Sequence, residues 1–308
     1  MKKMIIEGIG QGLIWSMLAI GVFLTFRILN IPDLTAEGSF PLGAAITIKL
    51  MLLGQSAIVA TLAGFLAGCL AGIVTGILDT KLRIPSLLAG ILTMTGLYSI
   101  NMHIMGKANI PLLNQKILSS YLPAAWDPVI QTILLGVLIS IGMITLLTLF
   151  FKTETGLALQ ATGNNQAMSA ANGVKTDGMV ILGYAISNGC IALSGALVAQ
   201  NNGFSDIGMG IGTIVIGLAS VLVGEIFITS RKIWIKLSSM VLGAIIYRVL
   251  LTLAMNFGVS PDDLKLFSTV ILILVIVIPM IQSRQRAKKQ LNKYLLSIRL
   301  AKEVSPDD

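Results

Sequence analysis

The sequence predicts an all-α, multi-pass membrane protein, and three observations carry that prediction. Mean hydropathy over the chain is +0.88. Hydrophobic residues make up 55% of the 308 and charged residues 12%, about half the charged share of a soluble domain. Apolar runs of roughly 20 residues recur along the whole length, each long enough to cross a bilayer as a helix. Residues 1–281 therefore read as one transmembrane domain, followed by a basic tail at 282–308. The formal net charge of +8 would suggest nucleic acid for a soluble protein. In a membrane chain it first reports topology, and no nucleic-acid partner is expected.

The opening MKKMIIEGIGQGLIWSMLAIGVFLTF has a basic start and an apolar run, as a signal peptide does. The run is too long for a signal core and no small-residue cleavage site follows, so 5–26 reads as the first membrane helix. The next apolar segment, 40–54, is short; it follows the polar turn NIPDLTAEGS and opens Phe40-Pro41-Leu42-Gly43. The remaining segments are 57–78, 84–106, 129–151, 178–200, 211–229, 237–256 and 264–281.

Charge decides how 40–54 is read. If it returns to its side of entrance, then Lys2/Lys3, Lys81/Arg83, Lys152/Lys175, Arg231/Lys232/Lys236 and the tail all fall inside, as the positive-inside rule asks. Arg27, Lys107, Lys116 and Lys265 then lie outside, with Lys49 and Arg248 within membrane segments. The expected topology is about eight crossings plus one re-entrant or half-crossing helix, both termini cytoplasmic, in the bilayer of a cell membrane. Non-helical backbone at membrane depth survives only against protein or a water-filled cavity, so 32–43 is a candidate cavity wall. A second interrupted stretch, NNGFSDIGMGIGTIVIGLASVLVGE (201–225), is Gly-rich. It reads both as close helix packing and as pathway lining.

Two polar margins remain. The outer segment 107–128, with Tyr121 and Trp126, reads as an interfacial loop or as a docking surface for an extracellular partner. In the tail, Leu291, Tyr294, Leu295 and Ile298 share one helical face among basic residues; it can lie on an anionic membrane surface or stay solvated.

Catalytic chemistry is missing from the pattern. No GxxxxGK[ST] phosphate loop, GxSxG or HExxH occurs, so no nucleotide hydrolysis and no enzyme activity is expected of this chain. Cys69 and Cys190 sit in apolar runs without metal-ligand spacing and read as small core residues; no metal is expected. The single histidine, His103, reads as a packing or interfacial residue. Charges at membrane depth are costly and face the bundle interior or a cavity, which assigns Arg248 a structural or gating role. Glu37, Ser39, Phe40, Pro41, Asn188 and Glu225 are the pathway candidates. The carboxylates cluster near segment ends, unlike the mid-helix carboxylates of a proton-coupled carrier.

The cytoplasmic connection 152–177 holds ETGLALQATGNNQAMSAANGVKTD. It reads as a polar segment with one short helix. Asn164 or Asn165 caps it, Gln166 to Ala171 continue it, and Gly173 ends it in a left-handed conformation. Ala167, Ala170 and Ala171 form a small-residue face suited to a groove on a protein; a lipid-facing helix would carry larger apolar residues and more positive charge. The pattern Ala161-Thr162-Gly163-Asn164-Asn165, then Ala170-Ala171-Asn172-Gly173-Val174, resembles the cytoplasmic loop of ABC-importer permeases of the branched-chain amino acid and ribose type. Gln160 stands where members commonly carry Arg, and the Ala pair is shifted. RILNIPDLTAEGSFPLGAA (27–45), GLASVLVGE (217–225) and GAIIYRVLLTLAMNFGVSPDDLKL (243–266) are similar to one branch of that family.

The resemblance implies a type II-like ABC importer permease, working as a homodimer with a cytosolic ATPase that holds ATP and magnesium. It also implies an extracellular substrate-binding lipoprotein, and an amino acid, including aromatic ones, as cargo. Gly163, Asn164, Asn165, Ala167, Ala170, Ala171 and Gly173 would be the ATPase-coupling residues. The alternatives are a stand-alone secondary carrier or channel for a small polar solute, a sugar or nucleoside ABC permease, and an integral membrane enzyme acting on lipids. The last would need clustered Asp, His, Lys or Cys near one interface, which the sequence does not show.

Overall fold

The computed structural model describes residues 2–113, 115–123, 126–228, 230, 232–256, 258–259, 263, 266–273 and 277. The tail at 282–308, Arg231, Lys265 and half of 264–281 lie outside the described residues. The helices are α1 (Lys2–Phe23), α2 (Ala36–Leu52), α3 (Ala57–Thr80), α4 (Ser86–Met105), α5 (Pro128–Phe150), α6 (Glu154–Asn164), α7 (Gln166–Ala171), α8 (Thr176–Asn202), α9 (Thr213–Phe227) and α10 (Ile233–Asn256). Two short strands, β1 (Asn109–Pro111) and β2 (Phe204–Asp206), pair antiparallel. Among the described residues seven helical stretches are long and apolar enough to cross a membrane.

Apolar residues all round a helix bury it on every side. In the span containing α1 89% of the most apolar stretch is buried, and in α8 83%, against 17% for α5 and 28% for α4. The first two form the centre, and α4 and α5 turn leucines and isoleucines outward. Helices approach closely in lipid where side chains are small, and α3 carries Gly64, Gly68, Gly72 and Gly76 one turn apart. A Cβ on Gly72 would strike the backbone of Tyr184 and Ala185, and one on Gly68 would strike Asn188 and Ala192. This ridge presses α3 onto α8, while Gly64 faces Thr47 and Gly43 of α2.

The path of the first two segments differs from expectation. After α1 a π-helical turn (Leu24–Leu29) ends at Asn30, which is left-handed at φ 57°. The connection 30–35 then tucks into the bundle, where Asp33 and Thr35 are buried. From there α2 climbs past Gly38 and Ala44 to Met51, which packs with Met105, Ile110 and Leu112 at the far end. Starting inside, its 17 residues reach about 25 Å, enough to leave on the opposite side. Of the two expectations for 40–54, re-entrant or half-crossing, the path of α2 fits the half-crossing one: it starts within the bundle and runs to one end.

Direction changes with it. Asn30 contacts Gly163 of α6, so α1 ends beside the connection 152–177, and its start lies with Pro128, Asn201 and Met255 at the other end. The N-terminus and 152–177 are thus at opposite ends of the bundle, not on one side as expected. Arg27 joins Lys81, Lys152, Lys175 and Lys236 at the 152–177 end, and Lys3 moves to the other. That end keeps most of the described basic clusters, as the positive-inside rule expects of a cytoplasmic face.

Two further departures are local. The segment 107–128 is not a featureless loop: Ile110 pairs with Ser205 across β1 and β2, and a 3-10 turn covers Leu118–Tyr121. Tyr121 and Trp126 remain exposed. The connection 152–177 holds two helices, not one, because Thr153 accepts from the Gly156 amide and Glu154 stands in the first turn of α6, both favourable at a helix start. The helical residues 266–273 set Phe267, Ile271 and Leu272 against Ala219, Tyr247 and Leu251.

Candidate functional site

The arm 152–177 forms as its sequence asks. The side chain of Asn165 accepts from the Met168 amide at 2.9 Å and caps α7, and Gly173 follows at φ +83°. Asn164 ends α6, with Asn165 as its C-cap. Ala167, Met168, Ala170 and Ala171 are exposed, while Ser169 is buried. The small-residue face is open to a partner, with Met168, 65% exposed, projecting from it. Gly163 has another task. Its missing Cβ leaves room for the carbonyl of Ile28 and the backbone of Leu29, and its own carbonyl accepts from Asn30 Nδ2 at 3.0 Å. It seats the arm on the end of α1 and does not face outward. Lys81 and Asp177 pair at 2.8 Å beside it.

The two interrupted stretches meet inside the bundle. Gly212 is left-handed at φ +85°, a conformation glycine adopts without strain, and it sets the start of α9 at depth. Its amide donates to Glu37 Oε1 at 3.0 Å. Gly210 leaves room for the Glu37 carbonyl and Pro41 Cδ. Around this junction lies a cavity of ≈ 250 Å³ lined by Glu37, Gly38, Pro41, Met94, Thr95, Tyr98, Asn101, Ile207 and Ile211. Of the pathway candidates, Glu37 and Pro41 line it.

Ser39, Phe40 and Asn188 do not; all three are fully buried in packed protein. Ser39 Oγ donates to Asn188 Oδ1 at 2.7 Å, and Asn188 Nδ2 donates to Asp33 Oδ2 at 2.7 Å and to the Tyr184 carbonyl at 3.1 Å. Tyr184 donates in turn to Asp79 at 3.1 Å, and Thr35, Thr75 and Thr93 form a second chain at 2.9 Å per link. Buried polar groups must be satisfied in this way. The network ties the connection 30–35 to α2, α3, α4 and α8 just above the arm.

The remaining charges sort by partner. Glu225 pairs with Arg27 at the cytoplasmic end and faces a separate cavity with Phe23, Ser230 and Lys236. Arg248 lays its guanidinium 4.0 Å over the Trp15 ring, and Trp15 stacks on Phe40 at 5.1 Å. A desolvated cation over Trp is worth about 2 kcal/mol, so this triplet holds α10, α1 and α2 together. His103 Nδ1 donates to the Ser99 carbonyl of its own helix, 2.8 Å away, and Cys69 and Cys190 are free thiols. Sequence reasoning missed Asn30, Tyr98 and Asn101 as site residues. The signal for Asn30 was an Asn before Ile-Pro, since Asn tolerates the left-handed turn.

The family model described as branched-chain amino acid transport system, permease component, matches residues 4–278. A tyrosine transport system permease protein of Clostridioides difficile is 41% identical over 270 residues, covering 87% of this chain and 89% of the relative. An autoinducer 2 import system permease protein, LsrC of Yersinia pestis, is 31% identical over 77% of this chain and 64% of the relative. The solved structure of PsaBC from Streptococcus pneumoniae in complex with Fab aligns over 89% of this chain and 90% of that one, with a TM-score of 0.50 at 14% identity. That likeness concerns the fold.

Proposed function

The chain belongs to the branched-chain amino acid transport permease family, and from that premise we propose that it is the subunit through which an ATP-driven importer carries an amino acid inward. The observation that carries the proposal is the arm α6–α7, with its exposed Ala167, Met168, Ala170 and Ala171 and its inner seat on Ile28 and Leu29. A surface of small residues outside and a close backbone contact inside is what a separate motor needs to move the end of α1. The motor is a cytosolic ATPase that binds ATP and magnesium. An extracellular lipoprotein delivers cargo at the far end, near β1 and β2, and two copies of the chain enclose the pathway. The identity with a tyrosine permease supports an amino acid over a sugar as cargo. Transport requires no catalytic residue here, because nucleotide-dependent differential binding to two permease states shifts their populations.

Co-expression with the ATPase that this reading proposes tests it. The expected result is a complex that survives purification and is lost in Met168→Glu, a surface change that leaves permease stability within about 0.5 kcal/mol. A complex unaffected by Met168→Glu and Ala170→Glu would remove α7 from the interface.

A further inference from the structure

We propose that the cavity at the junction of α2, α4 and the turn before α9 is a binding pocket for the ammonium end of an amino acid with a large apolar side chain. The proposal rests on the importer assignment for its ligand class and on geometry for its place. Asn101 is fully buried on the cavity wall. Its Nδ2 donates to the Gly38 carbonyl at 3.2 Å; a carbonyl only accepts, so the amide orientation is settled. What remains is Oδ1, which has no hydrogen-bond partner among the described residues, and a buried acceptor left unmade is costly. Glu37 adds a carboxylate whose Oε1 is held by the Gly212 amide. Among the described residues no cation pairs with Glu37, and no basic residue lines the cavity.

The two groups are acceptors only, and Glu37 is the one charge among the lining residues. Such a set selects a donor that carries positive charge; a primary ammonium meets the Glu37 carboxylate directly and has a further donor for Asn101 Oδ1 once that buried amide turns toward the cavity. The rest of the wall is Pro41, Met94, Tyr98 and Ile207, which suits an apolar or aromatic body. The cavity, ≈ 250 Å³, is much larger than the roughly 30 Å³ of one water, so it has room for more than a bare ion. A site at the meeting of two interrupted segments also fits the place where transporters hold cargo.

Equilibrium binding of radiolabelled tyrosine to the full-length chain in nanodiscs tests the pocket. Tyramine keeps the ammonium and N-acetyltyrosine lacks it. Tyrosine should bind, tyramine should displace it, and N-acetyltyrosine should compete about tenfold more weakly or worse. Glu37→Gln keeps a carbonyl for the Gly212 amide and removes only the charge, so α9 should still start correctly; tyrosine binding should fall about tenfold or more. Asn101→Leu should weaken binding independently, with an unchanged melting temperature as the folding control. Absence of tyrosine binding, equal competition by N-acetyltyrosine, or full binding in Glu37→Gln would overturn the proposal. ATP-driven uptake by the assembled transporter separates the two levels. Uptake without this binding removes the pocket and keeps the importer; binding without uptake of any amino acid keeps the pocket and removes the importer.

Discussion

The side-chain amide of Asn30 donates to the backbone carbonyl of Gly163 at 3.0 Å. One bond thereby joins the end of the most buried helix to the arm that faces the cytosol. Three residues further along, Asp33 enters the Asn188 network. These bonds link the arm to the start of α2, where Glu37 and the cavity lie, and predict that movement of the arm reaches it.

Asn30→Ala removes this bond, a loss of about 1 kcal/mol, and places Ala in a left-handed position that costs roughly another 1–2 kcal/mol. Membrane insertion should persist while solute moved per ATP hydrolysed falls several-fold. A transport-to-hydrolysis ratio equal to wild type would contradict the coupling role of Asn30.

Gly163 and Gly173 should respond differently, although both lie in the same arm. Gly163→Val drives a side chain into the Ile28 carbonyl and should uncouple hydrolysis from uptake. At Gly173 a Cβ meets nothing within 4 Å, and only φ +83° resists it. Gly173→Asn should therefore be tolerated and Gly173→Val should cost about 1–2 kcal/mol. Thermal melting combined with the uptake ratio distinguishes the two positions.

The glycine ridge of α3 predicts a stability contrast. Gly72→Leu forces α3 off the backbone of Tyr184 and should destabilise by at least 1–3 kcal/mol, the usual range for overpacking. Gly96→Leu, where a Cβ meets nothing within 4 Å, should leave the melting temperature near wild type. Equal melting of the two variants in detergent would remove the ridge from the account of helix packing.

Topology is directly measurable. Of single cysteines at Met4 and Ala167, in a chain with Cys69 and Cys190 replaced by Ala, the one at Met4 should react with impermeant maleimide in intact cells and the one at Ala167 only after permeabilisation. Reaction of both from the same face would restore the arrangement expected from charge alone.

Much of this was legible from the residues, for identifiable reasons. The cap at Asn165, the span of α7 and the turn at Gly173 depend on local backbone chemistry, which sequence displays directly. The interruptions at 32–43 and 201–225 were visible as polar and glycine-rich breaks. Their meeting through Glu37 and Gly212 was not, because it is a contact between residues far apart in the chain. The direction of α1 was misread because Lys2/Lys3 were weighed as an inside cluster, while the depth at which α2 starts depends on hydrogen bonds of Asp33 and Thr35 that no pattern reveals. Glu225 pairs with Arg27 at the end of the bundle that carries 152–177, whereas the charge pattern had put Arg27 outside. Ser39 and Phe40 were chosen from the interrupted entry region and Asn188 from the sixth crossing; their burial and the Ser39–Asn188–Asp33 bonds are long-range contacts that sequence does not display.

Uptake into sealed vesicles tests the central claim most directly. Vesicles holding this chain, its partner ATPase and the binding lipoprotein should accumulate labelled tyrosine only when ATP is supplied on the α7 side. Vesicles holding the chain alone should show no flux under a proton or sodium gradient. Gradient-driven accumulation by the chain alone, without ATP or ATPase, would contradict the importer assignment and establish a secondary carrier instead.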